Sequence, residues 1–173
     1  MIKANDNFLQ SYMEVIKKFF MSISQKKLET LQDITGNIFE HKSQLLGELA
    51  LCLIKQNFQE DLQEEYYHCP CCLKRIRKSP KLAKKTLETV IGKIDLERPY
   101  FYCKSCKKGY CPLDNKMELA EGSIQYDVQA LEAWLSSKAP YEEALETYER
   151  CTGNKISTGH MFETTNLMAN DID

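Results

Sequence analysis

Cys69-Pro70-Cys71-Cys72 and Cys103-Lys104-Ser105-Cys106 decide how this chain is read. Each stretch holds one CxxC pair, Cys69 with Cys72 and Cys103 with Cys106, and thirty residues lie between the pairs. A tight turn can aim both thiols of a pair at one ion, so two turns bring four sulfurs to the corners of a tetrahedron. Zn²⁺ favours that geometry at a closed structural site, where no coordination position is left for a substrate. The spacer is longer than the commonest range, but a hairpin folds it back. Cys69, Cys72, Cys103 and Cys106 are therefore the expected zinc ligands. A metal there also supplies stability that a small module cannot draw from its core. Two other readings use the same thiols. A redox CxxC usually stands alone beside a helix, which the paired arrangement does not resemble. An iron–sulfur cluster also accepts four thiolates. Cys71 can replace a neighbour as ligand but fits the spacing less well, Cys111 is a spare ligand or a buried thiol, and His68 is a substitute ligand or, with four thiolates already filling the site, a flanking residue. Cys52 and Cys151 fall in helical patterns, where small buried hydrophobes are expected.

Between the pairs the sequence alternates. Thr86-Leu87-Glu88-Thr89-Val90 has the period of a strand, Gly92-Lys93 supplies a turn, and Ile94-Asp95-Leu96-Glu97-Arg98 alternates again. Tyr100-Phe101-Tyr102 extends this hairpin past Pro99, a residue suited to a kink, an edge or a bulge.

The same region is strongly basic. Residues 69–111 hold twelve Lys/Arg and three acids, a net charge of +9, inside a chain whose total is −2. Zinc with four thiolates adds −2 in place of four neutral thiols, which leaves the module near +7. Lys74, Arg75, Arg77, Lys78, Lys81, Lys84 and Lys85 cluster on the loop after the first CxxC, and Lys104, Lys107 and Lys108 decorate the second. A rigid basic knuckle contacts phosphates, and nucleic acid is the common polyanion. A lysine-rich surface that is merely solvated, or docked on the acidic ends of the chain, is the plainer alternative.

The flanks read as helices. In residues 7–24, Phe8, Leu9, Tyr12, Ile16, Phe19, Phe20 and Ile23 lie on one helix face. Thr35-Gly36-Asn37 looks like a break, and Leu45, Leu49, Cys52, Leu53 and Phe58 carry a second helical pattern. Residues 1–65 are thus a helical hairpin, with self-association through it as a further option. Beyond Pro112-Leu113-Asp114, Ser123 can cap a helix whose apolar face is Ile124, Val128, Leu131 and Leu135, with Trp134 beside it. Pro140 suits a first helical turn, and Glu142 and Glu143 favour that positive end. Tyr141, Ala144, Leu145 and Tyr148 form one stripe, and Gly153 is a stop. Ser157 can cap a last helix to about Asn170, with Met161, Phe162, Thr165 and Met168 inward. Helix, turn and capped helix from Pro140 to Asn170 outline a helix-turn-helix. Its outward residues would include Thr158, His160, Glu163, Thr164, Asn166 and Asn170, of which His160, Thr164 and Asn166 are the candidate base readers. Against this, residues 112–173 carry −8, and the last helix holds no Lys or Arg.

With 173 residues, 43% hydrophobic and 28% charged, the chain has room for one core or a few small modules. No run of eighteen or more apolar residues predicts a membrane span. Met1-Ile2-Lys3-Ala4-Asn5-Asp6-Asn7 lacks the plan of an export signal, so a reducing cytoplasm is expected, with cysteines as metal ligands or free thiols.

The residues Gly92-Lys93-Ile94-Asp95-Leu96-Glu97-Arg98-Pro99-Tyr100-Phe101-Tyr102-Cys103-Lys104-Ser105-Cys106-Lys107-Lys108-Gly109-Tyr110-Cys111-Pro112-Leu113-Asp114 resemble the N-terminal part of bacterial transposases of the ISKra insertion-sequence type. There a CxxC precedes a block with the same glycine, arginine, aromatic, CxxC and Pro-Leu-Asp order. Pro140-Tyr141-Glu142-Glu143-Ala144, Thr152-Gly153 and Ile156-Ser157 are similar to the stretch that follows, so the resemblance runs from about Cys69 to Asn170. It implies a region that binds transposon-end DNA in a bacterial, nucleoid-associated setting. In that family a nuclease-like catalytic domain comes next, and this chain stops where that domain is expected to begin.

The expectation is a mainly α protein with a small β zinc ribbon. It has an N-terminal helical hairpin (1–65), a four-cysteine zinc-ribbon hairpin (66–114) and a C-terminal three-helix, helix-turn-helix-like bundle (115–173). The partner expected is double-stranded DNA. No enzymatic step is expected, since the sequence has no nucleophile motif, phosphate loop or open metal site. The rival is a zinc-stabilised protein–protein interaction module, or a transposase remnant without a retained role.

Overall fold

A reciprocal cap sets the longest helix. Thr30 is extended, its Oγ1 accepts the Asp33 N–H at 3.1 Å, and Asp33 Oδ2 accepts the Thr30 N–H at 2.9 Å. From that box α2 (Leu31–Asn57) runs unbroken, so the break expected at Thr35-Gly36-Asn37 does not occur. One glycine costs a helix only about 1 kcal/mol, too little to end one that is capped a few residues earlier. The computed structural model describes residues 6–23 and 27–170. The side chains of Phe8, Leu9 and Asn170, and the backbone of residues 1–5, on which the export-signal reading falls, lie outside the described residues.

Helix α1 (Asp6–Ile23) lies against α2, with the Phe19 and His41 rings edge-on at 5.7 Å. A short α3 (Gln59–Gln63) follows α2. Three two-stranded antiparallel ribbons then replace the single hairpin expected: β1 (Tyr66–His68) with β2 (Arg75–Arg77), β3 (Ala83–Thr89) with β4 (Gly92–Arg98), and β5 (Phe101–Cys103) with β6 (Lys108–Tyr110). Pro99, which has no N–H to give a ladder, separates β4 from β5. The turn of the central hairpin is Val90-Ile91, two residues earlier than expected, and Gly92 opens β4. The described residues end in α4 (Pro112–Lys116), α5 (Tyr126–Ser136), α6 (Tyr141–Thr152) and α7 (Thr158–Asn170). It is therefore mainly α with small β ribbons, as the sequence predicts. Among the described residues, no helix is long and apolar enough to cross a membrane.

Alternation places the first core. On β4, Gly92, Ile94, Leu96 and Arg98 are buried while Lys93, Asp95 and Glu97 are exposed. Ile94 and Leu96 join Leu87 and Leu113, and Ala50, Leu51, Ile54, Phe58 and Leu62 cover them from the helical side. The core thus crosses the boundary drawn at residue 65. The other edge of the hairpin is held by residues 123–125: Glu88 N–H donates to the Ser123 carbonyl at 2.7 Å, and Gln125 N–H to the Glu88 carbonyl at 2.9 Å. A second core of Val128, Leu135, Ala144, Tyr148 and Met161 unites α5, α6 and α7. Gln125, not Ser123, stands at the head of α5; its Oε1 accepts the Ala120 N–H. Gly153 closes α6 with a φ of +75°. Ser157 does head α7, accepting the His160 N–H at 3.1 Å. Phe162, expected inward, is exposed, and so is Cys151.

Two glycines of α2 predict opposite outcomes for one substitution. A Cβ on Gly47 would lie 2.7 Å from the Lys93 carbonyl oxygen, a backbone atom fixed in β4. A Cβ on Gly36 would meet nothing within 4 Å. Gly47→Ala should therefore lower stability by about 2 kcal/mol, and Gly36→Ala should raise it by about 0.5–1 kcal/mol. Urea unfolding midpoints of the two variants check both signs.

Candidate metal centre

Each CxxC turn joins a pair of short strands. The first spans the β1–β2 gap: the Cys69 N–H donates to the Lys74 carbonyl at 3.0 Å, and the Leu73 N–H to the Cys69 carbonyl at 2.8 Å. The second spans β5–β6, where Cys103 pairs with Lys108. In both, the residue after the second cysteine takes positive φ, +57° at Leu73 and +55° at Lys107. That left-handed step, unusual outside glycine, turns the chain back beneath its own sulfurs. The two turns meet because β2 lies beside β5, joined by an antiparallel bridge between Lys78 and Phe101.

The meeting brings together the four sulfurs expected and no others among the described residues. Cys69, Cys72, Cys103 and Cys106 have their Sγ atoms within 4.8 Å of one another. Cys69 and Cys106 are 3.8 Å apart, and Cys72 and Cys103 are 3.6 Å apart. A tetrahedral ion with metal–sulfur bonds of ~2.3 Å requires sulfur separations of about 3.8 Å. Disulfides need ~2.05 Å, and all four thiols are free. A two- or four-iron cluster would spread sulfurs on different irons more widely. The site therefore fits one metal ion. Cys69 and Cys103 are buried, and Cys72 and Cys106 half-buried.

The sulfurs are unequal. Burial opposes charge on Cys69, but the Cys72 N–H, the Tyr110 hydroxyl and the Cys71 N–H favour the thiolate and hold it at about 6. Cys106 is pushed up, first by its hydrogen bond with Cys72 and then by burial. Tyr110 is pushed up by its bonds to Cys71 and then Cys69. Four touching thiols cannot all ionise unless a cation lies among them. Cys71 is exposed, 3.4 Å from the Tyr110 hydroxyl and outside the set. Cys111 is half-buried beyond it and His68 exposed, so neither completes the tetrahedron.

The basic residues divide. Lys81, Lys104, Lys107 and Lys108 are exposed, and their ammonium groups have no partner among the described residues. Lys74 donates to Ser105 Oγ at 2.9 Å, bridging the two turns. The Arg75 guanidinium sits 3.7 Å from the centre of the Tyr66 ring. Glu65 takes Lys78 at 2.9 Å and reaches Arg77 at 3.8 Å, and Glu97 takes Lys84 at 3.0 Å. Lys84 and Lys85 lie on β3, not in the loop, so they point to opposite faces. Lys85 turns away and donates to the Ala120 and Glu121 carbonyls, which takes it out of the basic cluster.

The last helix also departs from expectation. Asn166 is exposed, but Thr164 is buried at 4% and cannot reach a base edge. Its Oγ1 is 3.2 Å from His160 Nε2, which in turn is 3.4 Å from Glu132 Oε2. His160 is thus half-buried beside a carboxyl that is fully enclosed. Burial pushes the Glu132 carboxyl up; Thr164 and His160 oppose that shift. Sequence periodicity missed Glu132, because a buried acid on an apolar helix face looks like a solvated one. It also missed Arg98, which is buried at 7% and grips both Asp114 oxygens through Nε and Nη2 while Nη1 donates to the Ala83 carbonyl. No family model matches this chain, and no curated protein does.

Proposed function

We propose that the four cysteines bind Zn²⁺ and that the chain is a DNA-binding module, akin to the transposon-end recognition region of ISKra-type transposases. The observation that carries this reading is the set of lysines without partners among the described residues, Lys104, Lys107 and Lys108 on the second cysteine turn and the strand that leaves it, with Lys81 on the segment between β2 and β3. They belong to a stretch of net +9 within a chain of net −2. Four thiolates and no open position suit a structural zinc site, so the metal's part is to fix the turns that present the lysines. Arg75, Arg77 and Lys74 add charge beside them. Phosphate contacts of this kind set register and affinity, not sequence choice. Of the base readers proposed on α7, Asn166 alone remains exposed on the helix, beside Glu163 and Leu167.

The second reading, a zinc-stabilised protein-docking module, is favoured by α6, whose Glu142, Glu143, Glu146 and Glu149 are all exposed. Salt separates the two. Duplex affinity should fall by roughly a thousandfold between about 50 and 200 mM salt if five or six phosphates are contacted. Fluorescence anisotropy with a labelled duplex measures this. Duplex binding that is absent at low salt removes the DNA reading.

A further inference from the structure

The outer face of the paired ribbons carries chemistry that phosphate gripping does not use. The Lys78–Phe101 bridge sets β2 antiparallel to β5, and the same register puts Arg77 opposite Tyr102. Alternation then sorts the side chains. Tyr67, Phe101 and Tyr110 pack together on the metal side. Tyr66 and Arg77, paired across β1–β2, lie on the other side with Arg75 and Tyr102. Tyr66 is 41% and Tyr102 46% exposed. Opposite Tyr102 stands Gly109, where any Cβ would strike the Tyr100 ring. The glycine thus leaves room for the half-buried Tyr100 ring against the ribbon. The result is a shallow face of three tyrosines and two arginines, bordered by Lys74 and Lys104.

We propose that this face is a stacking platform for unpaired bases, so that the ribbon binds single-stranded nucleic acid. A duplex hides the flat faces of its bases and offers grooves and phosphates. Exposed aromatic rings and guanidinium planes meet base faces only after bases unstack, and they do so with little regard to sequence. The Arg75–Tyr66 stack shows that a planar cation already rests on one ring at 3.7 Å, as a base could. The proposal rests on the nucleic-acid reading above, since the border lysines supply the phosphate contacts.

The test uses the full metal-loaded chain and fluorescein-labelled probes of about fifteen nucleotides, enough to span one such face: oligo-dT, oligo-rU and a mixed-sequence duplex. The parent should bind both single strands. Tyr66→Leu and Tyr102→Leu should each weaken that binding on the order of tenfold, with duplex affinity within about twofold and an unchanged melting temperature. Tyr102→Phe, which keeps the ring, should bind like the parent. A preference between dT and rU identifies the nucleic acid, and either supports the platform. Parent-like single-strand affinity in the doubly substituted chain overturns it. Duplex binding without single-strand binding also overturns it and leaves the DNA reading standing; no binding to any probe ends both. Photocrosslinking a 5-iodouracil strand to the unmutated chain gives a check free of folding effects. Adducts at Tyr66 or Tyr102 support the platform, and adducts confined to α7 contradict it.

Discussion

Cys103→Ser is expected to unravel both cysteine turns and the strands they join while the C-terminal bundle stays folded. Cys103 is buried at 1% and sits at the end of β5, so its sulfur cannot be replaced by a neighbour. The β1–β2 and β5–β6 ribbons have three residues per strand. Pairs so short are not stable alone, and the two apolar cores lie elsewhere, around β3–β4 and among α5–α7. Beyond the packing of Tyr67 against Phe101 and Tyr110, what would hold these ribbons is a metal ion among the four sulfurs, whose binding contributes about 10–16 kcal/mol in small zinc domains. Amide hydrogen exchange should therefore rise to unfolded rates across residues 66–78 and 101–110, with protection kept in α5 and α7. Cys71→Ser, which removes an exposed thiol outside the set, should leave exchange unchanged. A chelator in excess should reproduce the Cys103→Ser pattern in the parent.

Arg98→Ala should destabilise the chain by about 3 kcal/mol or more. The guanidinium is buried at the end of β4, forks onto both oxygens of Asp114 and also meets the Ala83 carbonyl. Truncation leaves the Asp114 carboxylate, itself largely covered, without its charge partner. It also frees α4, whose Leu113 closes the first core. Arg98→Lys should recover little, because one ammonium cannot reproduce a two-pronged contact. Joint replacement by Arg98→Met and Asp114→Leu should recover much of the loss, since no buried charge is then orphaned. Urea midpoints across this double-mutant cycle give the coupling directly.

The Arg98–Asp114 pair explains part of what could be read from the sequence. Periodicity assigns Arg98 and Asp114 no role, because a contact across sixteen residues depends on how α4 returns over the ribbon. The cysteines were legible because a CxxC carries its geometry locally: two residues fix where both sulfurs point. The β3–β4 hairpin was legible by alternation, though the turn moved to Val90-Ile91. The start of α2 was also written in the chain as Thr30-x-x-Asp33 ahead of an apolar run, a stronger signal than the glycine taken for a break. Facing on α7 was not legible. Its polar and apolar residues mix, so Thr164 and Phe162 exchanged sides once Met161 entered the core. Nor was Glu132, whose burial depends on α5 and α7 meeting. The stacking face depends on the register between β2 and β5, a long-range fact that no local pattern encodes.

Metal content of the purified chain tests the central claim most directly. Elemental analysis by inductively coupled plasma mass spectrometry, on protein prepared without added metal, should find one zinc per chain. Four equivalents of thiol should become reactive when it is removed, beyond those free in the holo form. A well-folded chain carrying no metal, with residues 66–78 and 101–110 still protected from exchange, would contradict the claim that four sulfurs around one ion hold the ribbons together.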